Sequence, residues 1–363
     1  MILKKNIVPL TSAIVFFCFI ALNIGNQQTS GISTSLKIPD EKIYDANPNI
    51  YRQEYFNLDK SNPLTKELLP LQHYAEGKGP VIALLLKNRS EDIEKVQVVL
   101  RSLLFLKGDL DPEHLAPVLI FNEGDLHYQS IEILVRSTDR PIAFPVVDIH
   151  SFPSGFQPEK ERANDLWDNQ QRIRFWMTTI WKHPVINRFE TVMRIDSNSC
   201  FMNANDYLPN FMHDGLFYHS PYVSSTAPAG LEFTEGLYDF SKNWMYNIKK
   251  PAGPGNPLLF HFIESSWKHK KTLPMFRTTF EVLRRSFMQR NDIMSFHEAI
   301  SEKEPFDLFR HRWSDEQIRL LMVAMFTEDR RIMVEPSDGF FYQTNYGCTM
   351  EKVEKAIRAN NLS

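Results

Sequence analysis

A short polar sequence interrupts an apolar segment near the middle of the chain. The stretch VMRIDSNSCF, residues 192–201, places Asp196 and Asn198 after one apolar run and before another. Hard divalent cations prefer carboxylate oxygens and can bridge a diphosphate, so these two residues form a candidate metal site. Asn198 offers only a neutral oxygen to such a cation. Asp, Ser and Asn are also turn formers, and an ordinary turn is the alternative interpretation.

Apolar patterns on both sides of Asp196 predict the elements that position it. Continuous apolar runs predict buried strands over residues 81–86, 117–122, 141–149 and 189–196, the third with a proline that indicates an edge or a bend. A helical period predicts helices over residues 91–106, 128–135 and 169–181. Alternating strands and helices indicate a parallel α/β sheet, which binds ligands beyond the carboxyl ends of its strands. Asp196 is expected at that edge.

Composition and charge narrow the class of protein. The chain has 363 residues, 43% of them hydrophobic, and a formal net charge of -3. That is enough for one large core or two small ones, and no basic stripe indicates a nucleic-acid partner. Residues 7–25 are nearly uncharged over about the 20 residues that a membrane-spanning helix needs, and Lys4 and Lys5 precede them.

The positive-inside rule turns this N-terminal pattern into a topology. It predicts a cytosolic tail at 1–6, a transmembrane signal-anchor at 7–25, a polar stem at 26–76 and a lumenal domain at 77–363. The protein would then be a single-pass type II membrane protein. A cleaved signal peptide is the alternative interpretation of the same apolar run.

Several motifs occur in one order along the predicted domain. They are QRIRFWMTTIWKHPVINRFETVMRIDSNSCF at 171–201, GLYDFSKNWM at 236–245, RWSDEQIRLLMVAMF at 312–326 and DGFFYQTNYGC at 338–348. In that order they resemble glycosyltransferase family 15, the fungal-type Golgi α-1,2-mannosyltransferases, or a divergent relative of it. The resemblance implies a GT-A fold, in which a Rossmann-like nucleotide-binding half precedes a mixed-sheet acceptor half.

The resemblance also implies a function in the Golgi membrane. It implies transfer of mannose from GDP-mannose, with retention and with Mn²⁺, onto a glycan of a glycoprotein or glycolipid. Asp196 and Asn198 match the metal-binding positions of the family, and Lys87 and Asn88 match a pair near its nucleotide. Lys87 could also act as a fixed cation that stabilises the negative charge of the diphosphate.

Arg174 and Arg194 are two further candidates for a fixed cation at the diphosphate, because arginine suits bidentate phosphate contacts. Their alternative roles are structural. Arg194 flanks the predicted strand, and Arg174 has Asp168 and Glu190 as candidate ion-pair partners.

The chain departs from the family pattern at two positions. A family glutamate near the anomeric carbon aligns with Met288 or Gln289, and Asp292 and Glu298 are nearby substitutes. The late metal histidine of the family aligns with Tyr342, a poor manganese ligand because its phenol stays protonated near pH 7. Tyr342 has stacking on the donor base or sugar as its alternative role. His297 and His311 are other candidate ligands.

Asp315 opens a predicted helix and has two interpretations. It is either a cap or dipole partner of that helix, or a carboxylate that contacts the acceptor or donor sugar. Cys200 and Cys348 are candidates for one disulfide in an oxidising lumen, which the sequence leaves open.

Two other functions compete with sugar transfer. The first is a catalytically silent relative that binds a sugar nucleotide or a glycan, which the two departures favour. The second is a metal-dependent hydrolase, which the sequence disfavours because no His/Asp cluster accompanies Asp196.

Overall fold

The computed structural model describes twelve parts of the chain, which are residues 79–106, 115–158, 164–203, 211, 216–220, 223–226, 234–249, 254–269, 273–328, 331–334, 341–343 and 348–362. Its strands are β1 Gly79–Leu85, β2 Val118–Phe121, β3 Ile142–Ala143, β4 Phe189–Ile195, β5 Ser199–Phe201, β6 Tyr218–Ser220, β7 Val223–Thr226, β8 Leu273–Phe276, β9 Phe280–Arg284, β10 Ile332–Val334 and β11 Phe341–Gln343. Its α-helices are α1 Ser90–Ser102, α2 Tyr128–Val135, α3 Asn164–Arg174, α4 Ile180–Lys182, α5 Leu237–Trp244, α6 Pro257–His269, α7 Arg285–Met288, α8 Asn291–Ser301, α9 Asp307–His311, α10 Asp315–Phe326 and α11 Met350–Ala359.

Seven strands form the central sheet, in the order β10-β6-β9-β4-β1-β2-β3. Strand β1 runs parallel to both β2 and β4, and β2 runs parallel to β3. Strand β9 is antiparallel to β4 and to β6, which makes the sheet mixed. The four strands from β4 to β3 therefore end at one edge, and β9 begins at that edge and runs away from it.

The apolar runs of the sequence fill the core of this sheet. Residues 81–84 of β1 and 118–121 of β2 are fully buried, as a strand covered on both faces should be. Helix α1 packs its apolar stripe, which includes Ile93, Val96 and Leu100, into the same core. The predicted strands at 81–86, 117–122 and 189–196 are thus confirmed, with ends that differ by one or two residues.

Two predicted elements differ in the structure. The strand predicted over 141–149 is only two residues long, and it lies at the edge of the sheet, where Pro145 removes a ladder donor. The helix predicted over 169–181 begins earlier, at Asn164, and contains a π-helical segment, Phe175–Thr179, before α4. Helix α4 ends where His183 precedes Pro184, since proline disfavours a helical residue before it.

A disulfide joins the two cysteines of the predicted domain. Cys200 and Cys348 are bonded, with their Cα atoms 5.9 Å apart, across 148 residues of sequence. Cys200 lies in β5, which pairs antiparallel with β11, and Tyr342 is opposite Cys200 in the register. The bridge therefore fastens the start of α11 to the strand that follows Asp196.

The predicted tail, anchor and stem lie outside the described residues. In the part of the chain that the structure describes, no helix is both long and apolar enough to span a bilayer.

Candidate active site

Asp196 lies at the carboxyl edge of the central sheet, as the sequence predicts. It follows β4 directly, its backbone N–H donates to the carbonyl of Thr279 at 2.8 Å, and its carbonyl accepts from Ser199 at 3.1 Å. The side chain of Asp196 is 16% exposed, so it is set into the protein surface but open to a ligand. The turn and the strand ladder together fix this carboxylate at the edge.

Arg194 gathers three carboxylates around this position. Its Nε lies 3.3 Å from Asp196 Oδ1, and its NH1 lies 3.0 Å from Asp315 Oδ2 and 3.3 Å from Glu281 Oε1. The guanidinium also lies over the ring of Trp176, at 4.6 Å from the centroid. Arg194 is almost fully buried and already fully engaged, so it holds the acids in place rather than facing a diphosphate.

Glu281 and Arg319 extend this network into the core. Arg319 places its Nε 2.9 Å from Glu281 Oε2 and its NH2 3.0 Å from Glu281 Oε1, and both residues are buried. A buried carboxylate is stable only when charges and hydrogen bonds compensate it. Glu281 therefore joins two arginines, and through Arg194 it supports the acids at the edge.

Helix α10 brings two acids to the same edge. Ser314 caps the helix by accepting from the N–H of Glu316, so Asp315 is free to act in the first turn as an ion-pair partner. Thr278 donates to Asp315 Oδ2 at 2.8 Å, from the loop before β9. Asp315 is therefore not the cap itself, but a carboxylate held between Arg194 and Thr278.

The electrostatics of the cluster appear in two pKa values. Burial and, after it, the nearby Asp315 carboxylate together raise the pKa of Glu316 to about 7, against the lowering effect of Arg277. Burial works to lower the pKa of Arg194, but Asp196, Asp315 and Glu281 outweigh it and raise that pKa above its ordinary value. Glu316 therefore changes its charge near neutral pH, beside acids that stay paired with Arg194.

A second group of charged residues lies at the same edge, beyond β1. Lys87 is paired with Asp168 of α3, and NH2 of Arg89 lies 3.8 Å from the same carboxylate. Asn88 donates to the carbonyl of Asp125 at 2.6 Å. Lys87 and Asn88 thus lie beside the N-terminus of α1, whose free backbone N–H groups favour anions.

Arg174 lies elsewhere and has a structural partner. Its Nε and NH2 donate to the two carboxylate oxygens of Glu302 at 2.6 and 2.8 Å, and its NH1 donates to the carbonyl of Ser151 at 2.7 Å. Burial works to raise the pKa of Glu302, but hydrogen bonds from Arg174 and others lower it below its ordinary value. The partner is neither Asp168 nor Glu190, and the bidentate geometry leaves Arg174 bound to protein.

The structure separates Gln289 and Asp292 from Asp196. Strand β9 is antiparallel to β4, so the residues after Arg284 lie at the amino end of β4, opposite Asp196. Gln289 donates to the carbonyl of Trp181 and to Asn187, and Asp292 is paired with Arg290. A seven-residue strand spans about 23 Å, which is too far for either residue to share a reaction centre with Asp196.

The other substitutes from the sequence have their own contacts within the protein. Glu298 lies 2.7 Å from Lys182, and His297 is fully buried, which lowers its pKa to about 3. His311 stacks on Trp313, with centroids 5.5 Å apart. These contacts are structural.

The described residues do not make up a metal site. Among them, no three His, Cys, Asp or Glu side chains group together as ligands. Asp196 faces Arg194, and Asn198 Oδ1 accepts from Ser199 at 3.4 Å. The backbone of Tyr342 is opposite Cys200, two residues after Asn198. One paired carboxylate and one amide are a poor donor set for a divalent cation.

Sequence reasoning missed Glu281, Glu316 and Arg319. Each lies in a segment with an apolar or helical pattern, in which a charged residue is expected on the exposed face of the strand or helix. The available signal was the acid inside FEVLR, residues 280–284, where Glu281 stands between apolar residues; the structure buries it fully.

Comparison with known proteins identifies the fold. The chain superposes on the mannosyltransferase Ktr4p from S. cerevisiae in complex with GDP, with a TM-score of 0.60 at 15% identity, over 84% of this chain and 82% of that one. It also superposes on core-mannan synthase A from Aspergillus fumigatus in its Mn/GDP form, with a TM-score of 0.58 at 15% identity, over 74% of this chain and 76% of that one. Neither a protein-family model nor a curated protein sequence matches the chain.

These superpositions define a GT-A-like fold with a mixed α/β sheet. The resemblance to glycosyltransferase family 15, drawn from the order of the motifs, is thereby confirmed at the level of the fold. The acids around Arg194 and the cations beyond β1 lie at the ligand-binding edge of that fold.

Proposed function

We propose that the protein is a hexosyltransferase that moves mannose from GDP-mannose, with retention, onto a glycan of a glycoprotein or glycolipid. The observation that carries the proposal is the acid cluster of Asp196, Asp315 and Glu316 at the carboxyl edge of a mannosyltransferase-like fold. The uncharged run at 7–25 and the Cys200–Cys348 bridge support a type II protein of the Golgi membrane with a lumenal domain.

The charges at this edge suit both ends of the breaking bond. Glycosyl transfer develops positive charge on the sugar ring and negative charge on the departing diphosphate. Asp196, Asp315 and Glu316 would face the sugar, where carboxylates also accept hydrogen bonds from its hydroxyls. Lys87 and the N-terminus of α1 would face the diphosphate. Neighbouring strands are about 5 Å apart, so the ends of β1 and β4 can serve one donor.

Two details of the structure bear on how the donor and the acceptor would react at the site. Lys87 is paired with Asp168, so the diphosphate must replace that carboxylate or share the lysine with it. Glu316, with a pKa of about 7, is partly deprotonated at neutral pH, and its carboxylate would accept the proton that the acceptor hydroxyl loses when it attacks the sugar. Asp196 and Asp315 would stay paired with Arg194 during this step, so their carboxylates would keep their positions beside the sugar.

A catalytically silent relative that binds a sugar nucleotide or a glycan is the second candidate. One observation favours it: the residues aligned with the family glutamate, Met288 and Gln289, lie at the opposite edge of the sheet. In this case the acid cluster would bind a sugar without transferring it.

Calorimetry on the full chain distinguishes these functions. GDP, GDP-mannose and UDP-sugars would be titrated with and without Mn²⁺, followed by assays of donor hydrolysis and of transfer to mannosides. We expect GDP to bind and Asp196→Asn and Asp315→Asn to abolish turnover, while Glu132→Gln, in an exposed ion pair, changes nothing. Binding without turnover would leave the silent relative, and no nucleotide binding at all would refute the transferase and leave only a relative that binds a glycan. A Mn²⁺ requirement, which stays a prediction, is read from the same titrations.

A further inference from the structure

The loop that follows β2 carries an acid that the mechanism above does not use. Glu123 is the second residue after β2, and Lys87 is the second residue after β1. The last residues of these two strands, Leu85 and Phe121, are partners in the parallel register. Lys87 and Glu123 therefore leave the sheet side by side, at the carboxyl edge where such sheets bind ligands.

The loop holds this acid in place. The buried side chain of Asn122 accepts from the N–H of Gly124 at 2.8 Å and donates to the carbonyl of Pro145 at 3.3 Å. Gly124 has a φ of 80°, a conformation that favours glycine. From the end of β1, Asn88 donates to the carbonyl of Asp125 at 2.6 Å. The backbone under the acid is thus fixed from both sides, and a preorganised group loses little entropy when it binds a ligand.

His150 orients the carboxylate of Glu123. Its Nε2 lies 2.8 Å from Glu123 Oε2. Gln171 of α3 holds His150 in turn, because its Nε2 donates to the carbonyl of His150 at 2.8 Å. Among the described residues no other base pairs with Glu123, and 22% of its side chain is exposed. The carboxylate can therefore accept hydrogen bonds from a ligand while His150 keeps its position.

Two side chains separate Glu123 from Lys87. Asp168 is paired with Lys87, and its Oδ1 lies 4.0 Å from His150 Nδ1. In a nucleotide sugar the ribose follows the diphosphate, and the base follows the ribose. With the sugar at the acid cluster and the diphosphate at Lys87, the ribose would lie at Asp168. The base would then reach Glu123, beyond β2.

We propose that Glu123 selects guanine as the base of the donor, by accepting hydrogen bonds from its N1–H and its 2-amino group. These two donors lie side by side on guanine, whereas uracil offers one N–H between two carbonyls. An ionised carboxylate only accepts, and its two oxygens match a pair of adjacent donors. The inference rests on the proposed function, since it names the group that recognises the donor of that reaction.

Calorimetry on the full chain tests the assignment with four nucleotides, GDP, inosine diphosphate, xanthosine diphosphate and UDP. Inosine lacks the 2-amino group, and xanthosine carries an oxygen in its place. The variants are Glu123→Gln, Glu123→Ala and His150→Ala. The matched control is Glu132→Gln, which changes an acid in an exposed ion pair on α2. Thermal unfolding, measured in parallel, reports whether each variant is folded.

We expect the unaltered protein to bind GDP at least tenfold more tightly than the inosine or xanthosine nucleotide, because each of them lacks one donor. Glu123→Gln keeps an acceptor for N1–H but turns an NH₂ toward the 2-position. It should therefore bind xanthosine diphosphate more tightly than GDP. Glu123→Ala should bind GDP and inosine diphosphate about equally. His150→Ala should narrow the preference for GDP without reversing it, with UDP binding unchanged.

The possible failures are distinguishable. An equal preference for GDP over xanthosine diphosphate in the unaltered protein, Glu123→Gln and Glu132→Gln overturns the assignment and leaves the proposed transfer intact. An equal loss of GDP and UDP binding in Glu123→Gln also overturns it, because the acid would then contact the ribose or support the fold. No nucleotide binding in the unaltered protein overturns the assignment and the transferase together. Base selection through Glu123 without turnover upholds the assignment, while the proposed transfer fails.

Discussion

Replacing Glu281 with glutamine tests whether the buried network supports the site. Glu281→Gln keeps the shape of a fully buried side chain but removes the charge between Arg194 and Arg319. Arg194 retains Asp196 and Asp315, whereas Glu281 is the one acid in contact with Arg319 among the described residues. The variant therefore leaves a buried guanidinium without a counter-charge.

The expected cost follows from that isolated charge. Removal of one partner of a buried ion pair costs about 3–5 kcal/mol. For a domain of this size each kcal/mol lowers Tm by about 2–4 °C, which gives a fall of about 6–20 °C. Arg319 lies 3.5 Å from the sulfur of Met322 and 3.7 Å from that of Met288, so methionine suits its surroundings. The double variant Glu281→Gln with Arg319→Met should regain most of the loss.

Equilibrium unfolding in urea measures both variants against an exposed pair. Glu132→Gln, which breaks a surface pair with Arg136, should cost no more than about 0.5 kcal/mol. The reasoning is refuted if Glu281→Gln costs as little as Glu132→Gln, or if Arg319→Met adds its own full cost to that of Glu281→Gln. A coupling of at least about 1 kcal/mol between the two sites would support the network.

Three further predictions concern stability. The pKa of Glu316 rises from 4.5 to about 7 on folding, so its contribution to the free energy of unfolding is present below pH 4.5 and is lost as pH rises to about 7. Unfolding titrations should show that the difference in stability between the unaltered protein and Glu316→Gln changes by an amount on the order of 3 kcal/mol over that window. Parallel stability curves for the two proteins would contradict this. Replacing Cys200 and Cys348 with serine should cost about 2–5 kcal/mol, and reductant should lower the stability of the unaltered protein alone. Gly255→Ala would place a Cβ 2.8 Å from the backbone nitrogen of Thr327, so thermal unfolding should occur at lower temperature, and an unchanged Tm would show that the loop yields.

The sequence predicts the strands of the parallel half because their apolar runs are continuous. Residues 81–84 are fully buried, so no polar residue interrupts the pattern, and the acid that ends β4 marks the edge. The motif order also pointed to the correct fold, although identity to the superposed mannosyltransferases is only 15%. Local pattern and motif order are therefore enough to place Asp196, Lys87 and Asn88.

The acid cluster could not be read from sequence, because it depends on strand direction. Strand β9 runs antiparallel to β4, which brings Glu281 next to Arg194 and carries Gln289 away from Asp196. Linear alignment carries no information on that reversal. The same holds for Arg174, whose partner Glu302 is 128 residues away.

The π-helical segment between α3 and α4 fixes the directions in which Arg174 and Trp176 point from the helix axis. Arg174, just before the segment, faces Glu302, and Trp176, within it, faces Arg194. A π-helical turn holds one residue more than an α-helical turn, and one residue corresponds to about 100° around a helix axis. Deleting a single residue here would turn one of these side chains away from its partner. Homologous sequences should therefore keep the length of this segment even where its residues vary, because its length lets Arg174 reach Glu302 while Trp176 lies under Arg194.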